Sequence, residues 1–274
     1  VSKSFKAGCL QFCADNDLKA NLMQAESLAR QTHEAGADLI CLPEYFASIE
    51  VDDQTTLAKA VVEEQHPALV LFQSLAKELS VWIQIGSLPI RISDIQINNR
   101  AFLINDSGAI VARYNKIHLF DATLKDDESY RESEAVMPGT EVVVAETPWG
   151  KLGMSVCYDV RFPDLYRSMA KKGAEFLTVP AAFTQTTGEA HWHVLLRSRA
   201  IENGCYVFAA DQNGVRNTGR ETYGHSLIID PWGNILADAG DQAGFIVADI
   251  DPDKVQEARE MVPSLRHDRE FKRD

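Results

Sequence analysis

The chain has 274 residues, 45% of them apolar and 24% charged, which is enough to bury a large core without disulfide or metal staples. Forty acidic side chains against 27 basic ones leave a formal net charge of −13; with no surplus of Lys or Arg to offset phosphate charge, nucleic acid and anionic membrane are excluded as partners. The five cysteines are an odd number scattered along the chain, unlike a secreted disulfide framework. No run reaches the length of a membrane span, and the opening VSKSFKAGCLQF lacks the apolar core and cleavage site of a signal peptide. The expectation is a cytoplasmic protein acting on something small.

In chain order, residues 6–12 read as a strand, and residues 17–35 as an amphipathic helix in which Leu18, Leu22, Ala25 and Ala29 recur at helical spacing. Gly36 stops that helix, and residues 38–42 form the next strand. Residues 141–146 and 151–156 are apolar runs about a Pro148-Trp149-Gly150 turn, followed by a helix over 162–172 and a buried strand over 175–179. Strands alternating with helices give the α/β class.

Three features of the first half return in the same order in the second. Gly8-Cys9-Leu10-Gln11-Phe12 is echoed by Gly153-Met154-Ser155-Val156-Cys157, and the helix stop, acid, strand and proline of residues 36–43 by residues 173–180. The apolar hairpin of residues 102–112, turning at Gly108, is echoed by residues 227–237, turning at Gly233. Two such half-units bury their sheets against each other under outer helices, a four-layer αββα sandwich; the other reading is that short apolar runs look alike by chance.

Functional groups in α/β sheets gather beyond the carboxyl ends of strands. Glu44 follows the strand of residues 38–42, Cys157 follows the strand before it, and Lys116 follows the hairpin strand of residues 109–114. A thiol attacks an amide carbonyl as thiolate, so it needs a base or a cation nearby: Glu44 can take the proton, and Lys116 with the backbone N–H of Tyr158 can hold the oxyanion. Water activated by Glu44 would then release the thioester, with no metal or organic cofactor. Taken singly, a buried Cys is usually inert packing, and a Glu or Lys at a strand end is usually a solvated charge.

The segments around these residues, Leu42-Pro43-Glu44-Tyr45-Phe46, Tyr114-Asn115-Lys116-Ile117-His118-Leu119-Phe120-Asp121 and Gly153-Met154-Ser155-Val156-Cys157-Tyr158-Asp159-Val160-Arg161-Phe162-Pro163, resemble the three signature segments of the nitrilase superfamily in content, order and separation. The resemblance runs over nearly the whole chain. It implies a single carbon-nitrogen hydrolase domain over residues 1–274, the αββα sandwich, the triad Glu44, Lys116 and Cys157, and homodimers or larger homo-oligomers that pair through helices, with the tail from roughly residue 252 in the contacts. Within the superfamily, Arg131-Glu132-Ser133, the helix segment of residues 186–203 and Asp230-Pro231-Trp232-Gly233 resemble the amidases that act on deaminated glutathione and the neighbouring ω-amidases that act on α-ketoglutaramate. That likeness implies a small carboxylated amide as substrate, Glu132 as a second carboxylate at the triad, and Tyr45, Arg161, Phe183 and Thr187 as substrate contacts. Residues 121–130 depart from the pattern as an acidic, insert-like loop. Nitrilase or N-carbamoyl hydrolase chemistry on the same triad, and a regulatory binding protein on the same scaffold, are the alternatives.

His191 and His193 lie two apart on a helix and face different ways, so they do not form a metal site. His118 and His225 read as hydrogen-bonding core or rim residues, and Cys9 and Cys13 lack the second pair that a metal site needs.

Overall fold

The computed structural model describes residues 3–50, 52–124 and 129–272. The first half opens with β1 (Phe5–Gln11), α1 (Leu18–Glu34), β2 (Leu39–Cys41), α2 (Asp53–Lys59), α3 (Pro67–Leu79), β3 (Trp82–Arg91), β4 (Ile97–Ile104) and β5 (Ile110–Asn115). A small ribbon follows, β6 (Asp121–Thr123) with β7 (Ser129–Arg131). The second half contains β8 (Val144–Thr147), β9 (Gly150–Met154), α4 (Pro163–Lys171), β10 (Phe176–Thr178), α5 (Gln185–Asn203) and β11 (Tyr206–Ala209). It ends with the ribbon β12 (Asn213–Val215) and β13 (Glu221–Tyr223), then β14 (Leu227–Ile229), β15 (Ile235–Asp238), β16 (Gly244–Ile250) and α6 (Asp253–Met261).

The internal echo is the topology. One sheet has the order β16-β1-β2-β3-β4-β5 and the other β8-β9-β10-β11-β14-β15. Each has a parallel trio in its middle, an antiparallel hairpin on one side and an antiparallel strand on the other. The hairpin turns match atom for atom: Asn105 Oδ1 accepts the N–H groups of Ser107 (3.1 Å) and Ala109 (2.9 Å), and Asp230 Oδ1 those of Trp232 and Asn234 (both 2.9 Å). Gly108 (φ 82°) and Gly233 (φ 84°) occupy the left-handed position that closes each turn.

Alternation along β1 assigns its two faces. Phe5, Ala7 and Cys9 point to the second sheet, where the Phe5 ring stacks on Trp149 (4.3 Å) and meets Phe176 edge-on (5.3 Å). Leu10 points the other way, into the layer packed by Ala25 and Ala29 of α1 and Phe72 of α3. Helices α4 and α5 cover the second sheet, which completes four layers. Helix α1 starts where the Asp17 side chain accepts the Ala20 N–H (3.0 Å). Its buried stripe is Asn21, Ala25, Ala29 and Thr32, with Leu18 and Leu22 only half-buried. All four expected residues pack on the core, and buried Asn21 joins them, its Nδ2 donating to the carbonyls of Asp15 (2.6 Å) and Ala47 (2.9 Å). Among the described residues no helix is long and apolar enough to cross a membrane. Of the acidic 121–130 loop, residues 125–128 lie outside the described residues.

Candidate active site

Glu44, Lys116, Glu132 and Cys157 come from four separate segments and meet on the wall of one cavity of about 320 Å3, at the lower end of the range for small-molecule sites. Glu44 leaves β2 through Pro43. Its entry is fixed by Gly86 of β3, where an added Cβ would lie 2.0 Å from the Pro43 carbonyl oxygen and 2.2 Å from that of Leu42; only glycine lets the two backbones approach so closely. Lys116 follows β5 directly, and its carbonyl accepts the Gly139 N–H (2.8 Å). Cys157 opens a single 3-10 turn three residues after β9. Its φ of 48° is a left-handed conformation that costs energy in a non-glycine residue and aims its side chain into the cavity. The bend is held by the Cys157 N–H on the Pro180 carbonyl (2.8 Å).

Lys116 Nζ donates to Glu44 Oε1 (2.9 Å) and to Glu132 Oε2 (2.8 Å) and Oε1 (3.1 Å). Asn99 Nδ2 bridges the same two carboxylates at 2.8 and 3.1 Å, and Glu44 Oε2 accepts the Ala182 N–H (3.0 Å). The Cys157 thiol lies beside the Glu44 carboxylate on the cavity wall. Burial raises the pKa of Glu44, but the Lys116 charge and the hydrogen bonds from Lys116, Cys157 and Asn99 outweigh it and hold the group below its ordinary value. Burial opposes the charge on Lys116, yet Glu132 and Glu44 keep its pKa well above that of an ordinary lysine. Burial, reinforced by the Glu44 charge, pushes the Cys157 thiol well up, and Lys116 only partly offsets this. The resting site is therefore a thiol beside a carboxylate and an ammonium. A neutral thiol beside a carboxylate can pass its proton to that carboxylate as it attacks a carbonyl, with no need for a standing thiolate held by Lys116.

Three supporting residues went unnoticed in the sequence. Asp159, wholly buried, accepts the Tyr114 hydroxyl (2.7 Å) and the Val156 N–H (2.9 Å) on Oδ2, and on Oδ1 it accepts the His118 N–H (3.0 Å) and meets His118 Nδ1 (2.7 Å). It thereby ties the Cys157 turn to the segment that carries Lys116. The available signal was an acid two residues after the cysteine. Asn99 gave none, because its bridging role exists only once four segments have met. Arg216 lies on the β12–β13 turn and lines the same cavity.

Of the expected substrate contacts, Tyr45 lines the cavity, whereas the wall is formed without Tyr158, Arg161, Phe183 or Thr187. The Arg161 guanidinium lies over the rings of Phe183 (5.1 Å) and Tyr158 (5.8 Å), with Nη1 3.2 Å from His191 Nδ1. The Phe183 ring packs on buried Trp192 (4.8 Å), and the Thr187 hydroxyl meets that of Thr184 (2.7 Å). A larger, open groove of about 630 Å3 between α1 and α3 has no cysteine, serine or threonine on its wall among the described residues.

His193 pairs with groups outside its own helix rather than with His191. His193, His225 and Asp238 place one ligand atom each within 4.8 Å of the others. Asp238 already accepts from Gly240 N–H (2.8 Å) and meets His225 Nδ1 (2.9 Å) and His193 Nε2 (3.1 Å), which makes the trio a satisfied hydrogen-bonded cluster away from the cavity wall. Cys9 ends up beside Cys41 on the neighbouring strand, and Cys13 lies beyond the end of β1. All five cysteines are free thiols.

A family model described as carbon-nitrogen hydrolase matches residues 6–260. The chain is 42% identical over 273 residues to a deaminated glutathione amidase of Synechocystis sp., covering 97% of this chain and 98% of that protein. It superposes on the crystal structure of the Caenorhabditis elegans NitFhit protein with a TM-score of 0.91 and 36% identity; 98% of this chain is matched, and it spans 66% of that longer protein. A more distant structure, with 26% identity, a TM-score of 0.81 and coverage of 94% of this chain and 95% of the other, is an amidase variant from Nesterenkonia sp. AN1 with the acetamide moiety of fluoroacetamide added covalently at its active-site cysteine.

Proposed function

The chain belongs to the carbon-nitrogen hydrolase family of the nitrilase superfamily and is an amidase, and from that premise we propose that Cys157 is its nucleophile and deaminated glutathione its substrate. The observation that carries the mechanism is the Cys157 thiol on the cavity wall beside a Glu44 carboxylate that also holds the Lys116 ammonium. As sulfur bonds to the amide carbon, its proton passes to Glu44, and the carbonyl oxygen becomes an oxyanion held by Lys116. Collapse breaks the carbon–nitrogen bond, with Glu44 returning the proton to the departing amine. Water then gives a proton to Glu44 while attacking the thioester, and that proton passes to sulfur as the carboxylic acid leaves. Glu132 keeps Lys116 charged and in place. No metal or organic cofactor takes part in this scheme.

The amidase identity of the Synechocystis relative supports the substrate. Incubation with deaminated glutathione and with α-ketoglutaramate, followed by cysteinylglycine or ammonia release, tests it. Faster release of cysteinylglycine is the expected result, and turnover of α-ketoglutaramate alone would reassign the substrate. The protein is further proposed to be a cytoplasmic homo-oligomer, in keeping with its five free thiols and with the exposed Val194 and Ile201 on α5 and Met261 at the end of α6.

A further inference from the structure

The ribbon turn between β12 and β13 closes on itself, with the Arg216 N–H on the Arg220 carbonyl (3.0 Å) and the Gly219 N–H on the Arg216 carbonyl (2.9 Å). It presents Arg216, Thr218, Arg220 and Thr222 to the cavity that contains Cys157. Arg216 is only 8% exposed, yet its Nε has no hydrogen-bond partner among the described residues. Its Nη2 reaches Gln212 Oε1 at 3.5 Å, an oxygen that already accepts the Ala14 N–H at 2.9 Å. Burial pulls this guanidinium below its ordinary pKa, as expected of a desolvated cation without full compensation.

The acids on the cavity wall have other partners or stand in solvent. Glu44 and Glu132 share Lys116, Glu50 pairs with Lys59 (2.7 Å), and Asp52 caps α2 through the Thr55 N–H (2.7 Å), while Glu134 and Glu221 are exposed. Arg220, its guanidinium 4.7 Å above the Tyr130 ring, adds a second cation to the wall. A buried guanidinium with unmet donors is costly on its own and fits a carboxylate through two parallel hydrogen bonds. Arg161, by contrast, is engaged by rings off the wall.

We propose that Arg216 is the carboxylate anchor of the site, holding a free carboxylate of the amide substrate at a distance from the bond that Cys157 cleaves. This rests on the amidase reading, and it narrows the substrate class to amides that bear a carboxylate. Deaminated glutathione offers two, one on the keto-acid side and one on the departing glycine.

The test compares Arg216→Gln and Arg216→Lys with the parent enzyme on deaminated glutathione, on its glycine methyl ester and on α-ketoglutaramate, with glutarate affinity measured by calorimetry. Arg216→Gln should raise KM about tenfold or more with kcat little changed, and Arg216→Lys should restore part of the loss. A loss confined to free deaminated glutathione assigns the glycine carboxylate, and a loss on all three assigns the keto-acid carboxylate; either supports the anchor. Glutarate affinity should fall by a similar factor, and the ligand-free melting temperature of Arg216→Gln should stay level or rise, because a buried charge with incomplete compensation has been removed. Unchanged KM and glutarate affinity would overturn the proposal, as would a lowered melting temperature with unchanged glutarate affinity, which marks a structural arginine. Should the parent turn over none of the three amides while glutarate binding still depends on Arg216, the amidase reading fails and the anchor stands.

Discussion

At the scale of single residues, the charge states decide the chemistry. Glu44 is a carboxylate in the resting site and is the group placed to accept the thiol proton. Glu44→Gln keeps the shape and removes the base, so kcat should fall roughly a hundred- to ten-thousand-fold while the fold is retained. The folded pKa of Glu44 is depressed, so its contribution to stability is complete above the unfolded value and is lost as pH falls through the folded one. The acid limb of kcat/KM should accordingly lie below the ordinary carboxylate range, and a midpoint above that range would contradict the assignment. Glu44, Lys116 and Cys157 were legible because each ends a strand inside a distinctive segment. Asp159, Asn99 and Arg216 were not, since a hydrogen-bond bridge or a buried guanidinium with unmet donors arises only once the chain has folded.

At the scale of elements, two positions carry checkable consequences. Gly86 lets β3 pass against the Leu42 and Pro43 carbonyls, so Gly86→Ala should displace Glu44 and cost activity by more than tenfold at temperatures where the variant is still folded, a loss on the scale of ångström misplacement. Circular dichroism alongside the assay separates this from unfolding. His66 caps α3 by accepting the Ala68 N–H (3.3 Å), and burial pushes its pKa down to about 4 from 6.5. Between those values the unfolded chain takes up a proton that the folded chain does not, so stability falls as pH falls, by up to roughly 3 kcal/mol once both values are passed. His66→Asn retains a cap acceptor and should flatten that slope in denaturant melts at pH 4 to 7; an unchanged slope would refute it. The sequence showed the paired hairpins through their glycine turns. It showed the apolar face of α1 through Leu18, Leu22, Ala25 and Ala29, but not that Asn21 is buried beside them with two carbonyl partners.

At the scale of the whole molecule, the duplicated sheet order brings the two halves together so that Glu44, leaving one sheet, meets Cys157, leaving the other. The repeat was readable because helix stops, strands and hairpin turns recur in order; the ribbons β6–β7 and β12–β13, which add Arg131 and Arg216 to the cavity wall, have no such counterpart. The proposed oligomer is expected to sediment as a dimer or larger at micromolar concentration, and a monomer there would count against it. The most direct test of the catalytic account is peptide-mapped mass spectrometry of Glu44→Gln quenched during reaction with deaminated glutathione, since the variant should acylate slowly and lack the base for deacylation. The account predicts the 2-oxoglutaryl mass on the Cys157 peptide alone; product formation with no adduct there, or an adduct on another cysteine, would contradict it.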